Sequence, residues 1–334
     1  MKMKSIVLQY LFASYLGLLT ACSGGDVNVA ISGPDISANW LPWTDEAITA
    51  YGVNTGHGQI IVNGIAYTTS HAMVTVNGRS GTVSDLRRGQ VISVSGDVHG
   101  GIFSGTADRI DYSAMLIGPV ESLDSSNNQL AVMGQTVITG PGTVFAAGIN
   151  PASYAGLSIG TNAEISGFSR ADGAILATRI DPIAGGTELQ LIGEVEDLDL
   201  ANLLFTVNRL TVDYSGALVI DLPGGAPSNG MTVKMIGDLA GGRFVVETLT
   251  TAPTLASVTG RRAQTAGLVT RIQSTRDFTV NHFAIATNSG TAYFNGDQGD
   301  LALNAELVID GHVASDGTIT ADWITFGRLV TAFR

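Results

Sequence analysis

Gly156-Leu157-Ser158-Ile159-Gly160 sets a serine between two glycines, the spacing used by nucleophilic serines of hydrolases. That chemistry needs Ser158 on a sharp strand-to-helix turn, with an acid and a histidine later in the chain to take its proton. His282 and His312 do follow, but they belong to a later repeat, and no helical pattern succeeds Gly160. The expected role is a glycine-flanked turn, with a serine hydrolase using Ser158 as the alternative. Two acidic groups have the oxygen-rich character of calcium loops: Glu194, Glu196, Asp197 and Asp199, and the pair Asp297 and Asp300 around Gly299. Neither has the EF-hand spacing, and alternate acids on a strand form a solvated face, so no metal is expected. His57, His71, His99, His282 and His312 show no zinc-binding spacing, although His57 and His71 can approach each other across a hairpin. Phosphate-binding loops, dinucleotide fingerprints and cysteine clusters are absent. No cofactor is therefore expected, and no catalytic residue is assigned.

Cys22 is the residue whose chemistry is most closely specified, and it is the only cysteine in the 334 residues. It follows Leu19-Thr20-Ala21, and before these run a basic start (Lys2, Lys4) and the apolar stretch Ile6 to Leu19. That stretch is too short and too poorly flanked for a good transmembrane helix and reads as a targeting segment. The arrangement looks like the lipobox of bacterial lipoproteins, cut before a cysteine that carries diacylglycerol. Residues 1–21 are expected to be a lipoprotein signal peptide, Cys22 the lipidation site, and 22–46 a tether. Each buried methylene contributes ~0.8 kcal/mol, so two or more acyl chains make a lasting membrane anchor. Ser23 in second place after cleavage points to the outer membrane, by analogy with enterobacterial lipoproteins. With no second cysteine, a disulfide or redox role has no partner.

Loss of residues 1–21 removes two lysines and no acids, so the net charge of −12 becomes −14, and Lys234 is then the one lysine. An acidic, lysine-poor surface is a poor match for nucleic acid, whose binding rests on basic side chains. No nucleic-acid partner is expected.

The elements that would position these residues are repeated. LIGPVESLD from Leu116 returns as LIGEVEDLD from Leu191 and, more weakly, as TAGLVTRIQ from Thr265. A second signature reads IIVNGIAY from Ile60, LAVMGQTV from Leu130, FTVNRLTV from Phe205 and FTVNHFAI from Phe278. A third is entered from a turn and left at a glycine: GQVISVSG, GTNAEISG, GMTVKMIG and NAELVIDG, starting at Gly89, Gly160, Gly230 and Asn304. Ile92 and Val94, or Leu307 and Ile309, share one face, the period of a half-buried antiparallel strand. Asn63-Gly64, Asn77-Gly78 and Asp316-Gly317 supply the positive φ of tight hairpins. With 42 glycines and 14% charged residues, the chain reads as all-β. Units of this size favour a curled sheet closed into a small OB-like barrel. Four are expected, at 47–113, 114–184, 188–253 and 262–328, with Trp40 and Trp43 able to dock on the first.

Units that open with Gly-x-Val-x-x-Leu-Asp, pass through Phe-Thr-Val-Asn and close on Val-x-Val-x-Gly then Ala-x-x-Ile resemble the bacterial domain of unknown function 5666. The segment Tyr51 to Gly96 is most similar to it, and the resemblance is strongest in the first three copies. The fourth has Asn304 in place of the glycine before its third signature, from which a different turn is expected. Members similar to this chain are lipoproteins or secreted proteins with tandem copies. The resemblance implies no known activity and transfers no catalytic residue.

The resulting expectation is a lipid-anchored, non-enzymatic protein of the cell envelope. Its barrels would form an elongated arm that binds an envelope protein or glycan, with a purely structural spacer as a further alternative.

Overall fold

The computed structural model describes residues 45–100, 103–186, 188–253, 255 and 259–327. The expected signal peptide, Cys22, Trp40, Trp43 and nearly all of the tether lie outside the described residues. Among the described residues there are 26 strands, a few short 3-10 turns and no α-helix.

The first unit comprises β1 (Glu46–Val53), β2 (Ile60–Val62), β3 (Ile65–Thr68), β4 (Met73–Val76), β5 (Arg79–Gly81), β6 (Val91–His99) and β7 (Ser104–Tyr112). The second has β8 (Leu116–Asp124), β9 (Gln129–Val132), β10 (Gln135–Ile138), β11 (Val144–Phe145), β12 (Asn162–Ser169) and β13 (Ile175–Ile183). The third runs through β14 (Leu189–Glu194), β15 (Glu196–Asp199), β16 (Leu204–Val207), β17 (Leu210–Asp213), β18 (Leu218–Ile220), β19 (Thr232–Ala240) and β20 (Arg243–Thr251). The fourth holds β21 (Arg262–Ile272), β22 (Asp277–Val280), β23 (Phe283–Ala286), β24 (Ala292–Phe294), β25 (Glu306–Val313) and β26 (Ile319–Phe326).

Alternation sets the inward face. In β25, Leu307 and Ile309 are fully buried while Glu306 and Val308 are half-exposed. Burying one such side chain contributes about 1.5–3 kcal/mol. Hydrogen bonds join β8 to β9, β9 to β10, β10 to β13, β13 to β12, and β12 back to β8, which closes a five-stranded barrel. The fourth unit closes in the same order through β21, β22, β23, β26 and β25. The first and third units follow that order with one interruption each. In the first, β1 meets β2 only through the bridge Asn54–Val62 just past its end. In the third, Val195 divides the opening strand into β14 and β15.

Each unit's third signature has a structural reason. Its closing glycine sits at a β-bulge, between Ser95 and Gly96, Ser166 and Gly167, Ile236 and Gly237, and Asp310 and Gly311. A Cβ on Gly96 would stand 1.9 Å from the Thr106 carbonyl oxygen, and one on Gly311 2.1 Å from that of Thr320. The bulge increases local twist, which lets a short sheet curl closed. The opening residue is left-handed in all four units, with φ of 90°, 81° and 84° at Gly89, Gly160 and Gly230. Asn304 does not change its turn as expected: it takes φ 64°, and its N–H donates to Val269 O at 2.8 Å, as Gly160 N–H does to Val120 O. Asparagine tolerates this region at modest cost, which is why it can replace glycine here.

The units do not string out into an arm. β1 runs parallel to β21, with Ile48 opposite Arg262 and Tyr51 opposite Thr265, so the first and last units share a sheet. The second and third share another, through Leu116 on β8 and Leu191 on β14. Strand edges explain this. Within a unit, the second strand covers only the later half of the first, as β9 covers β8 from Val120 onward. The early half keeps a row of unpaired backbone groups, an edge that proteins must cover. Here the edges of β1 and β21, and of β8 and β14, cover one another. Apolar packing then follows: Val53, Val91, Phe168, Ala266 and Leu268, from three units, form one buried cluster.

Candidate functional site

The second, third and fourth units leave between them a cleft of about 390 Å³. One wall is the turn between β12 and β13. Arg170 N–H donates to Ala174 O at 2.8 Å, and Gly173 sits at φ 80°. Glycine is required there twice over, because a Cβ would meet Asn208 Oδ1 at 2.1 Å. Asn208, from the β16–β17 hairpin, donates through Nδ2 to Gln135 Oε1 (2.5 Å) and Gly173 O (3.2 Å), which locks the third unit to the second. The fourth unit is fixed by Asn304 Oδ1, which accepts from Ala171 N–H at 2.8 Å. Arg271 reaches Glu194 across the cleft at 2.7 Å.

His282 lines the cleft as well. Its Nε2 lies 2.7 Å from the Pro253 carbonyl oxygen, which can only accept, so the proton is on Nε2. Burial pushes its pKa down, and the carbonyl bond offsets this only partly, so the ring is neutral and Nδ1 is an acceptor. No hydrogen bond within the described residues reaches that nitrogen. The ring packs against Phe283 (centroids 4.1 Å) and Tyr51 (6.0 Å).

The charges of the cleft are mostly paired internally. Arg170 bonds Asp172 at 3.1 Å and holds that carboxyl below its ordinary range, and Arg271 holds Glu194. Among the described residues, Glu196 has no side-chain partner and the hydroxyls of Ser169 and Thr232 make no hydrogen bond. The cleft therefore offers donors and acceptors with little net charge. No hydroxyl of the cleft is bonded to His282 among the described residues, so no nucleophile–base pair forms there.

Other residues singled out in the sequence are placed elsewhere. Ser158 is exposed, between a 3-10 turn (Tyr154–Gly156) and β12; its carbonyl accepts from Thr161, and no helix follows. His57 lies 3.0 Å from Arg88, His99 3.2 Å from Thr106, and His312 2.8 Å from Asp322, while His71 is exposed. Asp199 accepts from the backbone of Ala201 and Asn202, and Asp197 from Thr206. Asp297 and Asp300 cap a short turn, accepting from Gly299 and Asp297 N–H groups. Cys22 lies outside the described residues.

Of the residues picked out for chemistry, the structure thus brings together Glu194, Glu196 and His282. Sequence reasoning missed Arg170, Asp172, Asn208 and Arg271 in the same cleft. Their convergence depends on how the units pair, and only Asn208, in the repeated Phe-Thr-Val-Asn signature, carried a local signal.

No curated protein matches the chain. The family described as "Domain of unknown function (DUF5666)" matches residues 47–111, 117–181 and 266–325, more than half of the sequence. The third unit, placed by repeat comparison among the closest copies, lies outside these matches, and the fourth lies within them. Its opening strand is the one divided at Val195. With tandem matches over three units that share one strand order, the chain belongs to the DUF5666 family.

Proposed function

We propose that this chain is a non-enzymatic binding protein of the bacterial cell envelope, anchored through lipid on Cys22, whose ligand enters the cleft between the second, third and fourth units. All four units are OB-like barrels in this reading. The ring order first-second-third-fifth-fourth, with two interruptions, supports that assignment. The observation that carries the binding role is the cleft itself: three units converge on a polar cavity whose charges are mostly paired internally, and among the described residues Glu196, Ser169, Thr232 and His282 Nδ1 have no partner there. Clefts between units are where small ligands are commonly held. A hydrolase is not favoured, because Ser158 has neither the turn nor the histidine that its activation needs.

The test compares gene deletion with cleft substitution in cells. Glu196→Ala combined with Thr232→Val should reproduce the envelope phenotype of the deletion while the protein remains lipidated and abundant. Wild-type behaviour of that variant beside a clear deletion phenotype would favour the spacer instead.

A further inference from the structure

We infer that the cleft takes a neutral, polyhydroxylated ligand, an uncharged oligosaccharide segment; this rests on the binding role proposed above. Both guanidinium groups in the cleft, Arg170 and Arg271, are held by Asp172 and Glu194 at 3.1 and 2.7 Å. An anionic ligand would compete with these carboxylates for the guanidinium groups and would approach a chain of net charge −12. A cationic ligand finds, among the described residues of the cleft, Glu196 as the one carboxylate without a side-chain partner.

Hydrogen-bonding type then selects among neutral ligands. A sugar hydroxyl donates one proton and accepts through two lone pairs, so it suits a wall that alternates acceptors and donors. The cleft supplies acceptors at His282 Nδ1 and the Glu196 carboxylate, and groups of both kinds at the Ser169 and Thr232 hydroxyls. The His282 tautomer is fixed by Pro253, so Nδ1 is committed as an acceptor before any ligand arrives. A purely apolar ligand would displace water from these groups without replacing its hydrogen bonds, which loses affinity. The volume of about 390 Å³ lies within the usual range for small-ligand sites.

The experiment uses the mature acylated chain in lipid nanodiscs, free of sugar detergents, and reads saturation-transfer NMR and calorimetry. Probes are maltotriose, cellotriose and tri-N-acetylchitotriose, against trigalacturonate (anionic), triglucosamine (cationic) and trialanine. At least one neutral trisaccharide should bind, with affinity falling about tenfold or more in Glu196→Ala and in Thr232→Val, whose folding is checked by melting temperature. No binding by any neutral trisaccharide overturns the ligand class, as does binding that both substitutions leave unchanged. Cleft-dependent binding of triglucosamine, trigalacturonate or trialanine alone also overturns it. The cellular comparison above is read separately, so a phenotype in the cleft variant without saccharide binding removes the ligand class and leaves the binding role standing.

Discussion

Asn281 lays its carboxamide over Gly267. Its Nδ2 donates to Ala266 O at 3.0 Å, its Oδ1 accepts from Leu268 N–H at 3.3 Å, and a Cβ on Gly267 would stand 2.0 Å from Nδ2. Asn63 does the same over Gly52 in the first unit, donating to Tyr51 O at 3.1 Å. The glycine of the first signature and the asparagine of the second are therefore one device, a latch between the opening strand and the first hairpin. The second unit replaces it with Met133 over Gly118. In the third, Val207 covers Gly193 and frees Asn208 to bond the second unit.

Gly267→Ala should evict the Asn281 carboxamide and strand two buried backbone groups, lowering stability by about 1–3 kcal/mol. Asn281→Gly keeps the left-handed turn and removes the latch. The double variant should therefore lose clearly less than the two single losses added together, since the residues are in contact. Urea denaturation measures all three, and strict additivity would remove the latch.

Bulge glycines should be less forgiving than latch glycines, because their obstacle is backbone. A methyl group at Gly311 would meet the Thr320 carbonyl oxygen at 2.1 Å, whereas one at Gly140 meets nothing within 4 Å. Gly311→Ala is expected to cost about 3 kcal/mol or more, the upper end for forced overpacking. Gly140→Ala should change stability by no more than about 0.5 kcal/mol, as an unencumbered surface substitution does. Equal melting temperatures for the two variants would contradict the bulge argument.

The first–last unit contact carries a pH signature. Asp310 is buried against Arg262, which also bonds Glu46 at 2.7 Å. Burial raises the Asp310 pKa from 3.8 to about 6, against the pull of Arg262 and Gln264. The folded state thus holds this proton more tightly than the unfolded chain. The associated stability is full below the ordinary value and is lost as pH rises through about 6. Exposed Asp124 and half-exposed Asp199, held low by side-chain bonds from Ser126 and Asn202, run the opposite way and lose stability as pH falls. Relative to the parent, Asp310→Asn should remove a downward slope between about pH 4 and 6, with a limit of about 1.4 kcal/mol per pH unit for one proton. Urea titrations at several pH values measure it, and parallel curves would contradict the assignment.

Lys234 is buried with Nζ 3.2 Å from Ser113 Oγ and makes no ion pair among the described residues. Burial pushes its pKa below 10.5. The unfolded chain then binds this proton more tightly, so stability rises with pH from the folded value up to the ordinary one. Lys234→Met removes a desolvated charge while keeping the stem's packing. It should be at least as stable as the parent at neutral pH, by about 1 kcal/mol, and should lose that alkaline rise. A variant clearly less stable than the parent would assign Lys234 a compensating partner.

How much of this was legible in the sequence depends on range. Period-two alternation around Ile92, Ile165, Met235 and Ile309 marks the strands, and the glycine spacing marks the repeat, because both are local. Asn304 hides its turn from the sequence because asparagine, like glycine, can take the left-handed angle found there. The pairing of units was not legible, since the early halves of β1, β8, β14 and β21 pair through backbone groups that every strand carries, and nothing in Ile48 or Leu116 names its partner. The cleft inherits that limit. Glu194 and His282 stand out as chemistry-bearing residues, yet only the pairing of whole units brings them together.

Shortening the chain tests that pairing most directly. If the units were beads on an arm, a chain ending at residue 253 would keep three intact units. In the structure, loss of the fourth unit uncovers the edge of β1 from Ile48 to Tyr51 and exposes Val53, Val91 and Phe168, which pack on Ala266 and Leu268. An uncovered edge beside a bare apolar cluster invites self-association. The shortened chain should therefore aggregate or dimerise, and amides of β1 should exchange with solvent many times faster than in the parent. The second and third units share one continuous core, so amides of β9, β10, β16 and β17 should keep most of their protection. Hydrogen exchange followed by mass spectrometry separates these outcomes. A monomeric shortened chain with β1 as protected as before would mean that the contact between the first and last units contributes nothing to holding the array together.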